Sequence, residues 1–265
     1  MTLFGTKTIV GMIHVQALPG TPRHRGRLDA VLTQAAQEAE LLTRAGFDAL
    51  LIENMHDVPY LCGRVGPEIV AGMTAAGLAV RRVSPLPLGV QILAAANREA
   101  LAVALACGAA FVRVENFVYA HVADEGLMPT AEAGPLLRYR RQIGADSIAI
   151  FADVKKKHSS HALTADVSLA EAARTAEFFG ADGVVVTGTA TGDPAALADV
   201  QEVRGAVRGR VGIGSGLTAD NLARYWPHAD VFIVGSCLKQ DGLWSNPLDP
   251  ERLAGFRAAV ARLRG

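Results

Sequence analysis

Eight times along this chain of 265 residues, a short apolar run is followed by a longer, alanine-rich segment with helical spacing. The runs are Thr8–His14, Ala49–Glu53, Leu88–Leu93, Phe111–Glu115, Ile148–Asp153, Gly183–Thr187, Val211–Gly214 and Val231–Gly235. They are rich in Val and Ile and bounded by Gly or charge, the pattern of parallel strands buried on both faces. The intervening segments are Leu28–Ala45, Pro67–Val83, Arg98–Ala106, Thr130–Ile143, Ser168–Phe179, Pro194–Val207, Ala219–Trp226 and Pro250–Leu263. Gly46, Gly108, Gly144 and Gly180 each follow a helical run, as C-terminal caps should. Asp193-Pro194 and Asp249-Pro250 read as an N-cap followed by proline in the first turn.

Eight βα units without a Pro/Gly/Ser-rich linker predict an α/β chain folded as a single (β/α)8 TIM barrel, one domain over residues 1–265. Such a barrel needs about 250 residues. A doubly wound sheet would carry a dinucleotide-type glycine fingerprint after its first strand. Here that strand is followed by His14-Val15-Gln16-Ala17-Leu18-Pro19-Gly20, which is not one. Half the residues are hydrophobic, enough for a large core.

Lys+Arg and Asp+Glu both number 26, so no basic excess points to nucleic acid or an anionic membrane as partner. Cys62, Cys107 and Cys237 are odd in number, widely spaced and form no CxxC pair. That fits free thiols in a reducing compartment. Met1–Lys7 runs straight into a strand and no apolar stretch reaches membrane-spanning length. The chain is expected to be cytoplasmic, without membrane insertion. A homo-oligomer is compatible with all of this.

Barrels of this kind do their chemistry at the C-terminal ends of the strands. Titratable residues concentrate there: His14, then Glu53-Asn54-Met55-His56-Asp57, Gln91, Glu115-Asn116, Asp153 and Lys155 with His158 and His161, and Thr187-Gly188-Thr189. The loops leading into the strands are mostly Ala-Gly-Asp or Gly-Ala types. The densest stretch is Asp153-Val154-Lys155-Lys156-Lys157-His158-Ser159-Ser160-His161. Alternation along a strand puts Asp153 and Lys155 on one face, about 7 Å apart. They are expected to form an acid/base pair at the barrel mouth. Lys156 and Lys157 read as a solvated loop. The catalytic candidates are thus Asp153, Lys155, Glu53, His158, His161, Glu115 and His14.

Strands seven and eight run into Gly214-Ser215-Gly216 and Gly235-Ser236. Paired Gly/Ser loops at these positions suit a phosphate, because glycine lets backbone N–H groups approach and serine adds a donor. Gly214, Ser215, Gly216, Gly235 and Ser236 are therefore candidate phosphate ligands. Glu53, His56, Asp57, His158 and His161 include metal-ligating types, but no spacing singles out a set. A divalent metal is compatible with the sequence and no cofactor is required by it. The first βα loop, Val15–Arg27, with Arg23, Arg25 and Arg27, reads either as a lid closing over an anion or as a solvated basic turn. Glu125–Pro129 reads as a second flap.

Several of these runs together resemble the BtpA/SgcQ family. They are Gly11-Met12-Ile13-His14 with Leu18-Pro19-Gly20, Glu53–Tyr60, Ala152–His161, Gly214-Ser215-Gly216, and Val234-Gly235-Ser236 with Lys239 and Asn246-Pro247. The resemblance spans nearly the whole chain. It implies a barrel of the ribulose-phosphate-binding type and, from the family name, a part in photosystem I accumulation in cyanobacteria. It implies no catalytic residue set. Two functions follow as expectations. One is an enzyme working on a small phosphorylated metabolite, a sugar phosphate or nucleotide-derived compound, by lyase, isomerase or epimerase, or hydrolase chemistry. The other is a non-catalytic assembly or stability factor.

Overall fold

The computed structural model describes residues 5–188 and 190–265. Thr189, read above as part of a strand end, lies outside them. Among the described residues, eight parallel strands close into a barrel: β1 (Thr8–His14), β2 (Ala49–Glu53), β3 (Leu88–Gln91), β4 (Phe111–Val114), β5 (Ala149–Val154), β6 (Gly183–Thr187), β7 (Arg210–Gly214) and β8 (Val231–Val234). Each strand pairs with its neighbours in sequence, and β1 closes on β8 from Thr8↔Val231 to Gly11↔Val234. The helices are α1 (Leu28–Arg44), α2 (Pro67–Val83), α3 (Asn97–Cys107), α4 (Ala133–Gln142), α5 (Leu169–Phe178), α6 (Leu197–Ala206), α7 (Leu222–Tyr225) and α8 (Pro250–Arg264). The expected (β/α)8 architecture is therefore the one found.

Local chemistry sets the element ends. Ser168 caps α5 by accepting from the Glu171 N–H, and Asp249 caps α8 by accepting from Glu251 and Arg252. Gly108 closes α3 in the left-handed region at φ 68°, where a side chain would be strained. Asp193-Pro194 does not start α6, which begins at Leu197. Its backbone instead packs under the β7α7 turn, so close that a Cβ on Gly216 would lie 2.2 Å from Pro194 N. The flap segment is a hairpin, His121–Ala123 with Gly126–Met128, extended by Ser159–Ser160 into a three-stranded antiparallel sheet.

Apolar packing has two layers. Between the strands and the helices lies the larger one, including Leu42, Phe47, Leu50 and Ile52. Inside the barrel, Val10, Met12, Leu51, Phe111, Phe151, Val185 and Ile233 fill the space. Phe111 and Phe151 meet edge-on at 5.9 Å. They fit because Gly89 and Gly183 lack side chains; a Cβ would come within 2.3 Å and 2.5 Å of the two rings respectively. Gly183→Val should therefore lower stability by about 1–3 kcal/mol or more, the usual cost of overpacking. Urea denaturation would read it. The β8α8 loop is tied to α1 by a buried pair, Lys239 Nζ to Glu38 Oε1 at 2.5 Å.

Candidate active site

Because side chains alternate along a strand, the residues after the barrel's apolar filling form its upper floor. His14 aligns with Glu53 across β1 and β2, and Glu53 with Gln91 across β2 and β3. Arg113 on β4 points into the same space as Phe111 below it and Glu115 above. Its guanidinium makes two parallel hydrogen bonds to Asp153 of β5, Nε–Oδ1 and Nη2–Oδ2, both 2.8 Å. Their side chains are 6% and 1% exposed. Burial works against the Arg113 charge, but Asp153 outweighs it and pushes the guanidinium further above its ordinary pKa.

Above this pair two cavities open and join. One, of about 210 Å3, reaches toward β7 and β8 and is lined by Gly192, Ser215–Thr218, Gly235–Cys237 and Arg252. The other, of about 340 Å3, opens toward β2, β3 and the hairpin. Glu53, Met55, Arg113, Lys157 and Thr191 line both, so they form a waist between two lobes.

Glu53 is 6% exposed, and no hydrogen bond reaches its carboxylate among the described residues. Burial raises its pKa above the usual carboxylate range; Arg113 and Lys157 pull it back, while Glu115 and Asp153 add to the rise. Lys157 donates to Thr191 Oγ1 at 3.2 Å. Burial and then Arg113 lower its pKa below that of a free lysine, against the pull of Glu53 and Asp153. His14 gives its Nδ1–H to the Trp244 carbonyl at 2.9 Å, and burial brings its pKa to about 3. It is therefore a neutral imidazole whose Nε2 faces Gly235.

Asp153 and Lys155 line neither lobe; both border a smaller cavity of about 20 Å3 with Asn116, Tyr119 and His121, and no ion pair joins them among the described residues. The strand ends at Val154, and Lys155 sits at φ 45°, which breaks the alternation. Its ammonium donates to the carbonyls of Val167 and Thr164. Lys156 and Lys157 are not a solvated loop. Lys156 is 6% exposed, 3.4 Å from Glu115 Oε1 and 3.7 Å from Glu125 Oε2. Burial opposes its charge, and these two carboxylates more than restore it. Glu115 also accepts from the Ala95 N–H at 3.0 Å and faces the wider lobe. His158 braces the β6α6 loop, accepting from the Thr191 N–H at 3.1 Å, at the edge of that lobe. His161 turns away, its Nε2 2.9 Å from the Lys156 carbonyl, and lines neither lobe.

Of the phosphate candidates, Ser215, Gly216, Gly235 and Ser236 line the narrower lobe. Gly214 lies beneath it: a Cβ there would meet the Arg113 guanidinium at 2.9 Å. Its smallness makes room for that side chain. Arg23, Arg25 and Arg27 are exposed and line neither lobe. Asp57 spends both oxygens on structure, accepting from Leu18 N–H and Asn54 Nδ2. Among the described residues no three His, Cys, Asp or Glu side chains gather as a metal site would require.

Arg113, Lys157 and Arg252 carry much of the site's charge and were not singled out by the sequence. Arg113 had one signal, its inward position two residues after Phe111 and two before Glu115. Arg252, on the first turn of α8, had none, since its place depends on how the β8α8 loop folds.

Among the described residues no helix is long and apolar enough to cross a membrane. The fold resembles phosphoribosyl anthranilate isomerase of Thermus thermophilus at a TM-score of 0.59, over 97% of this chain and 100% of that one, with 15% identity. An uncharacterised mitochondrial protein of Caenorhabditis elegans is 48% identical over 97% of this chain and 94% of its own length. Photosystem I biogenesis protein BtpA of Synechocystis is 36% identical over 98% of this chain and 92% of its own. The BtpA family profile matches residues 5–262. By that match and by the Synechocystis relative, the chain belongs to the BtpA family.

Proposed function

We propose that the protein is an enzyme that transfers protons on a small phosphate ester. The observation that carries this reading is the waist: Glu53, a buried carboxylate without a hydrogen bond among the described residues, and the Lys157 ammonium group wall both lobes. The narrower lobe holds the phosphate, with backbone N–H groups along Gly216–Leu217 and Ser236–Cys237, the Ser236 hydroxyl and the Arg252 charge, while the Ser215 hydroxyl ties down the β6α6 loop through Ala190 and Gly192. Glu53 takes a proton from the carbon next to the reacting group. Lys157 and the Arg113 edge stabilise the negative charge that develops. Asp153 holds Arg113 in place, and His14 and His158 shape the walls. The phosphoribosyl substrate named for the Thermus neighbour supports the phosphate assignment. Three free thiols fit work in a reducing compartment.

A thermal-shift comparison tests this. Ribose 5-phosphate at millimolar concentration should raise the melting temperature and ribose should not. At a hundredfold excess over Kd the gain is about 2.7 kcal/mol. A panel of sugar phosphates that leaves the melting temperature unmoved would sink the proposal.

The pH profile follows from the two shifts. Activity needs Glu53 ionised and Lys157 protonated. The rate should rise as pH climbs through the Glu53 pKa, which lies above 4.5, and fall as it climbs through that of Lys157, below 10.5. Lys157→Arg should keep the acidic limb and lose the basic one, because a guanidinium stays charged to about pH 12 or beyond. A basic limb that survives this change belongs to another group.

A further inference from the structure

We propose that the wider lobe is a ring-binding subsite. The substrate is then a phosphate ester whose polar spacer carries a flat, nitrogen-bearing ring, in the manner of a nucleoside 5′-monophosphate. It is not an open-chain or unsubstituted sugar phosphate. This rests on the phosphate reading of the narrower lobe and adds what occupies the other end of the molecule.

The lobe's walls argue first. At about 340 Å3 it is the larger of the two, and Val58, Pro59, Tyr60, Leu93, Met55 and Trp244 form one side of it. Against that apolar side sugar hydroxyls would lose water and meet no polar side chain, which is costly, whereas the opposite side carries Gln91, Glu115, Lys156 and His158. A flat ring would lose little and gain stacking. Both aromatic rings are held. The Tyr60 hydroxyl donates to the Met55 carbonyl at 2.7 Å. Trp244 packs on the His56 ring at 4.8 Å, and its carbonyl accepts from His14. Held rings give up little freedom when a ligand stacks on them.

The polar chemistry of the lobe argues second. Gln91 is 2% exposed and its Oε1 is buried without a hydrogen-bond partner among the described residues. An acceptor left unmade in this way is expensive unless a ligand completes it. Gln91 lines the wider lobe and neighbours Glu53 in register. A ring N–H, or the exocyclic amine of a heterocycle, supplies the missing donor. Between ring and phosphate lies the waist of Glu53, Arg113 and Lys157, which suits a hydroxylated spacer such as a pentose.

The test is calorimetric titration of the full chain with inorganic phosphate, ribose 5-phosphate, uridine 5′-monophosphate and adenosine 5′-monophosphate. At least one nucleotide should bind at least about tenfold more tightly than ribose 5-phosphate, within the range that stacking of one base gives. It should also quench Trp244 emission, read in a Trp226→Phe background that removes the other tryptophan. Trp244→Leu and Gln91→Leu, each checked for folding by circular dichroism, should narrow the nucleotide advantage to less than about threefold. Ribose 5-phosphate binding as tightly as both nucleotides overturns the ring subsite and leaves the phosphate reading standing. So does a nucleotide advantage that survives both variants. Failure of every phosphate-bearing probe to bind overturns both.

Discussion

Asp153→Asn is expected to lower the free energy of unfolding by about 3–5 kcal/mol, the cost of leaving one partner of a buried ion pair uncompensated. The partner is Arg113, whose guanidinium is 6% exposed and makes both of its short bonds to Asp153. An amide can replace one acceptor but not the charge. Against a total of about 5–15 kcal/mol for a typical chain, the loss is large. The double variant Arg113→Met, Asp153→Met should be less destabilised than Asp153→Asn alone, because it removes both charges together. Urea denaturation of the three proteins measures this. If Asp153→Asn is as stable as the parent, the pair is not buried in solution as it is here.

Glu53→Gln and Lys157→Met should each lower turnover by at least about 10²-fold, the lower range for general acid–base catalysis. Neither should unfold the chain, since no hydrogen bond to the Glu53 carboxylate exists to be lost among the described residues and Lys157 makes a single side-chain bond, to Thr191. The two losses should not add, because the base and the charge that stabilises its product act on one transition state. Lys155→Met separates this assignment from one centred on the strand-end pair. Lys155 binds the carbonyls of Val167 and Thr164, away from both lobes, so its removal should affect stability more than turnover. Steady-state rates for the three single variants and the Glu53→Gln, Lys157→Met double variant, once a substrate is in hand, decide the matter.

The barrel was legible in the sequence because its signal repeats eight times. The strands are rich in Val and Ile, and Gly46, Gly108, Gly144, Gly180 and Asp249-Pro250 mark helix ends where expected, though Asp193-Pro194 does not. What failed did so at the ends of those runs. Alternation carried past Val154 puts Lys155 beside Asp153. With the strand ended at Val154 and Lys155 at φ 45°, the alternation stops, and Lys156 and Lys157, not Lys155, reach the wider lobe. Nothing local to the three lysines shows where the strand stops. Gly214 looked like a phosphate ligand from its neighbours Ser215 and Gly216. Its period-two position places it inside the barrel, making space for Arg113, whose own partner lies 40 residues away. The hairpin over the wider lobe escaped because strands of three residues, His121–Ala123 and Gly126–Met128, are too short to show a period. Its pairing with Ser159–Ser160 is a tertiary event. The rim of titratable residues was visible; which of them face the cavities depends on these turns.

A crystal structure of the chain with ribose 5-phosphate bound would show what the two lobes and the waist hold. The phosphate should lie in the narrower lobe, between the Ser215–Thr218 turn and Gly235–Cys237 with Arg252 alongside, and the pentose should cross the waist against Glu53 and Lys157. A phosphate seated elsewhere, or a sugar that makes no contact with either Glu53 or Lys157, would contradict it.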